Sequence, residues 1–206
     1  MIRRFDRDSA LVVIDVQQGV NLLQHWGGKT GRRNNLAAEQ SIAAALDAWR
    51  QRELPVYFTA HDSLEAASPL KLRLETGRFI KGLEPKPDEP VIAKSANSAF
   101  IGTGLEVALR RRRINRLMFV GFFTNFCVET SVRMANNMGF DTYLAHDACA
   151  TCNRVGLNGE DYDPELVHAL SVAGMHREFC TAMSTADAIA LTRADASHLD
   201  RVQGNE

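Results

Sequence analysis

Six short apolar runs, separated by stretches of helical period, constrain this chain more than any other feature. ALVVIDV at 10–16, PVYFTA at 55–60, PVIA at 90–93, RLMFVG at 116–121, FDTYLA at 140–145 and FCTAM at 179–183 are rich in Val, Ile, Leu and Phe. Between them, residues 36–52 place Leu36, Ile42, Ala45, Leu46 and Trp49 on one stripe, and residues 125–138 place Val128, Val132 and Ala135 in register. Residues 103–113 read as a helix with a basic end, 164–177 as one opened by Pro164 after Asp163, and 184–192 as a short capped one. Strands that are apolar throughout are buried on both faces, so helices must cover both sides of a parallel sheet. Right-handed crossovers then predict an α/β fold, a three-layer doubly wound sandwich on a mostly parallel six-stranded sheet. A chain of 206 residues supplies the core of one such domain, taken as 1–206. The stretch 61–89 lacks a period and collects Pro69, Gly77, Gly82, Pro85 and Pro87. It predicts a long loop with one short helix at 70–75, and long loops in compact domains are often functional.

The charge balance narrows the partners. A net charge of −1 gives no electrostatic reason to bind nucleic acid or an anionic membrane. The first apolar run is interrupted by Asp15 and followed by no small-residue cleavage site, which argues against a secretory signal. Nothing approaches the length of a membrane span. Four cysteines in a chain of this size do not make a disulfide framework, and the expected location is the cytoplasm.

In open α/β sheets, ligands bind outside the carboxyl ends of the strands. The first run ends at Asp15, the third at Lys94, and the fourth leads through Gly121 to Cys127 in the first turn of the next helix. Each residue alone has a bland explanation: Asp forms turns, Lys tips are solvated, and lone cysteines are buried and inert. An acid, an amine and a thiol at three ends of one sheet form a set that can do chemistry. Only the thiolate attacks, and a helix N-terminus and a lysine both favour it. A carboxylate can take the thiol proton and return it to a leaving nitrogen, while first-turn N–H groups hold an oxyanion.

The segments LVVIDVQ at 11–17, KSANSAF at 94–100, GFFTNFCVETSVRMANNMGF at 121–140 and HDACAT at 146–151 resemble the isochorismatase-like cysteine hydrolases in order and spacing. That family includes nicotinamidases, N-carbamoylsarcosine amidohydrolases and ureidoacrylate or biuret hydrolases. The resemblance covers roughly residues 8–190. It implies a triad of Asp15, Lys94 and Cys127, the residues already picked out at the strand ends. It also implies a cis peptide between Phe122 and Phe123, with the N–H groups of Phe123 and Cys127 forming the oxyanion hole. Gln17, Asn97, Phe100 and Thr124 are secondary candidates for orienting the substrate or the triad, and Phe126 for a pocket wall. Nicotinamidases carry an Asp-x-His and a later His that bind metal, whereas TAHDSLEAASPL offers His61-Asp62 and no second His. The expectation is a hydrolase of a small amide, carbamoyl or ureido substrate without metal or other cofactor, and a homo-oligomer by family resemblance. Vinyl-ether hydrolysis of the isochorismatase type and a non-catalytic binding protein of the same fold are the alternatives.

Other features carry less. GGKTG at 27–31 lacks the first glycine of a phosphate loop, since Leu23 stands there, and no G-x-G-x-x-G follows the first run. Cys149-Ala-Thr-Cys152 has redox spacing in the loop expected after the fifth strand, without a second pair for zinc. Arg110–Arg113 at a helix end suits the dipole and predicts a solvated face; His168 and His176 read as packing or surface residues.

Overall fold

The computed structural model describes residues 4–193; the expected span 1–206 extends past these at both ends. In chain order the first elements are β1 (Ser9–Ile14), α1 (Leu23–Gly27), α2 (Ala38–Gln51), β2 (Val56–His61), β3 (Val91–Lys94) and α3 (Leu105–Arg111). Then come β4 (Arg116–Phe122), a π-type turn (Thr124–Val128), α4 (Glu129–Asn137) and β5 (Asp141–Ala150). A small ribbon of β6 (Arg154–Val155) and β7 (Asp161–Tyr162) precedes α5 (Pro164–Met175), β8 (Thr181–Met183) and α6 (Thr185–Arg193). Six strands form one sheet in the order β3-β2-β1-β4-β5-β8, with every pairing parallel. The chain builds outward from β1 to β3, then returns to β4 on the other side of β1. The crevice between the carboxyl ends of β1 and β4 is therefore the topological switch point, where ligands bind in such sheets.

Each face of the sheet has its own core. On one, Ile42, Leu46 and Trp49 of α2 pack over Leu11, Val13 and Val120; on the other, Leu105, Leu109 and Val132 pack over Val12 and Phe119. The continuous apolar character of β1 and β2 is explained by this, since both are buried along their whole length. β3 departs from it: Val91 is 45% exposed, because β3 is the sheet edge and one flank is uncovered.

Several local expectations are corrected. Leu36 is 80% exposed and precedes α2, whose apolar stripe starts instead at Ala38. β5 runs five residues beyond Ala145, with a shift in register between its pairing at Phe119 and at Gly121. The bulge carries His146 and Asp147 past β4 and brings Cys149, expected in a loop, into the strand. No helix forms at 70–75; a single 3-10 turn, Glu75–Gly77, follows, while Lys71 turns inward and donates to Ser63 O at 2.6 Å. Arg110 is not merely solvated: its guanidinium lies 3.9 Å from the Phe140 ring centroid and donates to Met138 O.

Gly121 fixes how closely the two switch-point strands approach. It pairs with Ile14 across the ladder and has φ +123°, a conformation that side chains oppose. A Cβ there would lie 2.1 Å from Ile14 O and 2.8 Å from Ile14 N. Only glycine lets β4 press against the residue that precedes Asp15.

Candidate active site

Asp15 leaves β1 in a left-handed conformation, φ +50°, which short polar residues tolerate better than others. Thr59 of β2 holds it from both sides: its hydroxyl donates to Asp15 Oδ1 at 2.6 Å and accepts from the Asp15 N–H at 3.1 Å. The side chain is 1% exposed, and its second oxygen, Oδ2, lies 2.7 Å from Lys94 Nζ. That ion pair is short but off the hydrogen-bonding angle, so Oδ2 keeps an acceptor direction unused among the described residues.

Lys94 ends β3 directly beside His61, which ends β2, so both side chains leave the same face of the sheet. Its ammonium reaches His61 Nδ1 at 2.9 Å and Ala96 O at 3.1 Å besides Asp15. Burial opposes the charge, but the Asp15 carboxylate favours it, and the lysine pKa is raised.

Cys127 sits in the π-type turn that follows β4, after a cis Phe122–Phe123 peptide. Such turns widen a helix at functional positions. The N–H groups of Phe126 and Val128 both turn to Phe123 O, whereas no loop or cap bond takes up the N–H of Phe123 or Cys127 among the described residues. Ser131, one turn on, donates to Cys127 O at 2.5 Å and accepts from the Ala99 N–H at 2.9 Å. This ties the loop that carries Asn97 to the cysteine turn, and Asn97 Oδ1 lies 3.8 Å from the sulfur. Polar atoms of Asp15, His61 and Cys127 all fall within 4.8 Å of one another.

The protonation state differs from the expectation of a stabilised thiolate. Burial first, and the Asp15 carboxylate second, push the Cys127 thiol far above its ordinary value; Lys94 pulls it down but does not offset them. The lysine charge is already neutralised by Asp15 at 2.7 Å. In the free protein the sulfur therefore keeps its proton, beside a carboxylate with an open acceptor direction.

A cavity of about 380 Å³ opens above the thiol. Phe123 and Phe126 line it beside Trp26 from α1, Ser68 and Leu70 from the 61–89 loop, and Arg154 from β6. The Trp26 indole donates to Gly19 O at 2.8 Å and packs 4.9 Å from the Phe123 ring. The Arg154 guanidinium stands 4.9 Å from the Phe126 ring centroid and donates to Trp26 O.

Of the secondary candidates, Asn97 and Phe126 reach the cavity. Gln17 does not: fully buried, it donates to His61 O and Gly77 O and accepts from the His61 N–H, clamping the end of β2. Thr124 is buried against His168 Nδ1 at 2.9 Å, and Phe100 packs 6.0 Å from Phe140 in the core. Thus His168 is a packing residue with a polar partner. His61, Thr59 and Ser131 were not singled out as functional from the sequence. His61 ends a strand as Lys94 does, so the same strand-end rule applied to the second run would have found it. Cys149, Cys152 and Cys180 are free and buried, so the C-x-x-C pair is not a disulfide here.

The grouping of Asp15, His61 and Cys127 has the donor types of a metal site. Lys94 occupies the position a cation would take: its ammonium is 2.7 Å from Asp15 Oδ2 and 2.9 Å from His61 Nδ1. A buried positive charge held this close to two of the three donors does not fit a metal at the same place.

A thiol, a carboxylate and an ammonium converging at the switch point of a parallel sheet are the furniture of a cysteine hydrolase. The chain belongs to the isochorismatase family: the isochorismatase domain model matches residues 9–187. The isochorismatase family protein YrdC of Bacillus subtilis (strain 168) is 35% identical over 180 residues, 87% of this chain and 94% of the relative. A crystal structure of an isochorismatase-family protein from Chromobacterium violaceum superposes with a TM-score of 0.85 at 41% identity, covering 92% and 96% of the two chains. Nicotinamidase 3 of Arabidopsis thaliana is 28% identical over 159 residues, 70% of this chain and 74% of the relative. The fold is the family's mostly parallel α/β sandwich, and the protein is an isochorismatase-family hydrolase. No helix among the described residues is long and apolar enough to cross a membrane.

Proposed function

We propose that this protein is a metal-independent cysteine hydrolase of a small amide, carbamoyl or ureido C–N bond. The observation that carries the reading is the buried Lys94–Asp15 pair, 2.7 Å apart, set within reach of the Cys127 thiol at the cavity floor. Asp15 Oδ2 takes the thiol proton as the sulfur attacks the carbonyl carbon. Because the thiol is held protonated, transfer and attack proceed together rather than from a standing thiolate. The carbonyl oxygen becomes an oxyanion held by the N–H groups of Phe123 and Cys127, an arrangement that typically lowers such barriers by about 3–4 kcal/mol per donor. The intermediate collapses to a thioester, and Asp15 returns its proton to the leaving nitrogen. A water, deprotonated by Asp15, then cleaves the thioester and restores the thiol. Lys94 keeps Asp15 ionised between steps. Asn97 and Phe126 are assigned to substrate contact; Gln17, Thr124 and Phe100 are assigned to holding the frame.

The partner is a small molecule, given the cavity size and its aromatic walls. Four free thiols support a reducing, cytoplasmic setting. Small amides, carbamates and ureides screened for release of ammonia or amine should yield a substrate, with Cys127→Ala inactive on it. Full turnover by Cys127→Ala would sink the mechanism and favour vinyl-ether hydrolysis, which needs no thiol. Tight binding without turnover in the native protein would favour the non-catalytic reading.

A further inference from the structure

One cavity-facing nitrogen, His61 Nε2, has no part in the steps above. An ammonium has three hydrogens and accepts none. Lys94 donates to Ala96 O at 3.1 Å and stands 2.9 Å from His61 Nδ1, with Asp15 Oδ2 ion-paired at 2.7 Å. Nδ1 is therefore an acceptor, and the ring must carry its hydrogen on Nε2. Burial, then the Lys94 charge, hold the imidazole below its usual pKa, and a neutral ring is the result. The His61 side chain is 10% exposed and forms part of the cavity wall. With Nδ1 turned inward to Lys94, the edge exposed to the cavity is the Nε2 edge. Nε2 is not among the sealed, unpartnered atoms of the described residues, as expected if it opens on the cavity.

What Nε2 can bind follows from the donors around it. The ring atom 3.9 Å from Asp15 Oδ2 is Nδ1, which already faces Lys94. The oxyanion donors come instead from the turn after β4. Nε2 is thus left for a second acceptor on the substrate, apart from the oxygen of the scissile carbonyl.

We propose that His61 is a specificity-determining residue whose Nε2–H donates to a second acceptor oxygen of the substrate, distinct from the oxygen of the scissile carbonyl. The favoured class is amides and ureas that carry a second carbonyl or carboxylate oxygen; simple primary amides and N-alkyl amides are disfavoured. A donor left unpaired in a desolvated site penalises the wrong ligand by about 5- to 150-fold. The substrate class rests on the hydrolase reading; the tautomer does not.

The full-length Cys127→Ala protein, labelled with 15N-histidine, separates these points without turnover. His61 should show hydrogen on Nε2 and none on Nδ1 at neutral pH. Two neutral probes are then titrated: N-acetylglycinamide, which carries the extra carbonyl, and N-propylacetamide, which does not. N-acetylglycinamide should shift the Nε2–H resonance and bind about 5- to 150-fold more tightly. That gap should shrink at least fivefold when His61→Leu is added. An Nδ1–H ring, an imidazolium at neutral pH, no shift with N-acetylglycinamide, or an undiminished gap in the double variant would each overturn the assignment. Turnover by Cys127→Ala would sink the hydrolase reading while leaving the tautomer and binding results standing.

Discussion

Replacing Gly121 by Ala places a methyl carbon where β1 already stands. The new Cβ would meet Ile14 O at 2.1 Å and Ile14 N at 2.8 Å, so the strands must separate by about 1 Å to restore ordinary contact. Neither neighbour is a flexible side chain; both are backbone of a fully buried central strand. Overpacking of this kind costs about 1–3 kcal/mol, and a non-glycine residue at φ +123° adds about 1–3 kcal/mol more. A total loss of about 2–6 kcal/mol is expected, visible in urea denaturation as a lower midpoint at unchanged slope. The shift lands on chemistry because Ile14 precedes Asp15 and the Gly121 strand leads to Cys127. A misplacement of about 1 Å between reacting groups costs about 100-fold in rate, so kcat/KM should fall by that order in the fraction that folds. A variant within about 0.5 kcal/mol of the parent would show that the strands do not touch as described. Lost stability with unchanged kcat/KM would show that this contact does not position the acid against the thiol.

Lys94→Met leaves the Asp15 carboxylate buried without its counter-ion, which should cost about 3–5 kcal/mol and abolish turnover. Adding Asp15→Asn should restore part of the stability but no activity; a double variant no more stable than Lys94→Met would argue against the pair as the cause. His168 should make the fold acid-sensitive. Burial, then the His146 charge, lower its pKa from 6.5 to about 4 in the folded state, so the unfolded chain binds the proton first. The stability from neutral His168 is full above pH 6.5, declines as pH falls, and levels off below about 4, a span of about 3 kcal/mol at most. Denaturation across that range should show a steeper decline for the parent than for His168→Gln, and parallel curves would refute it.

Much of the architecture is written locally, in periods that need no distant partner to be read. Uninterrupted apolar runs at 10–16 and 116–121 imply burial on both sides, and with it a parallel sheet under two helical layers. Because ligands collect at strand ends, Asp15, Lys94 and Cys127 could be placed together before any coordinate. Leu36 and the absent 70–75 helix mark where that reasoning ends: element ends depend on what they pack against. Tertiary structure alone decided the state of the thiol. A helix start and a lysine predict a thiolate; burial, and the pairing of Lys94 with Asp15 across 79 residues of sequence, reverse it. It also decided which polar side chains face the substrate. Gln17 and Thr124 look functional in a motif, yet backbone and His168 consume their hydrogen bonds, while His61 gains a free edge because register sets it beside Lys94. Local pattern determines which residues gather at the sheet edge; dielectric and hydrogen-bond competition there, which only the assembled fold creates, determine what each can do.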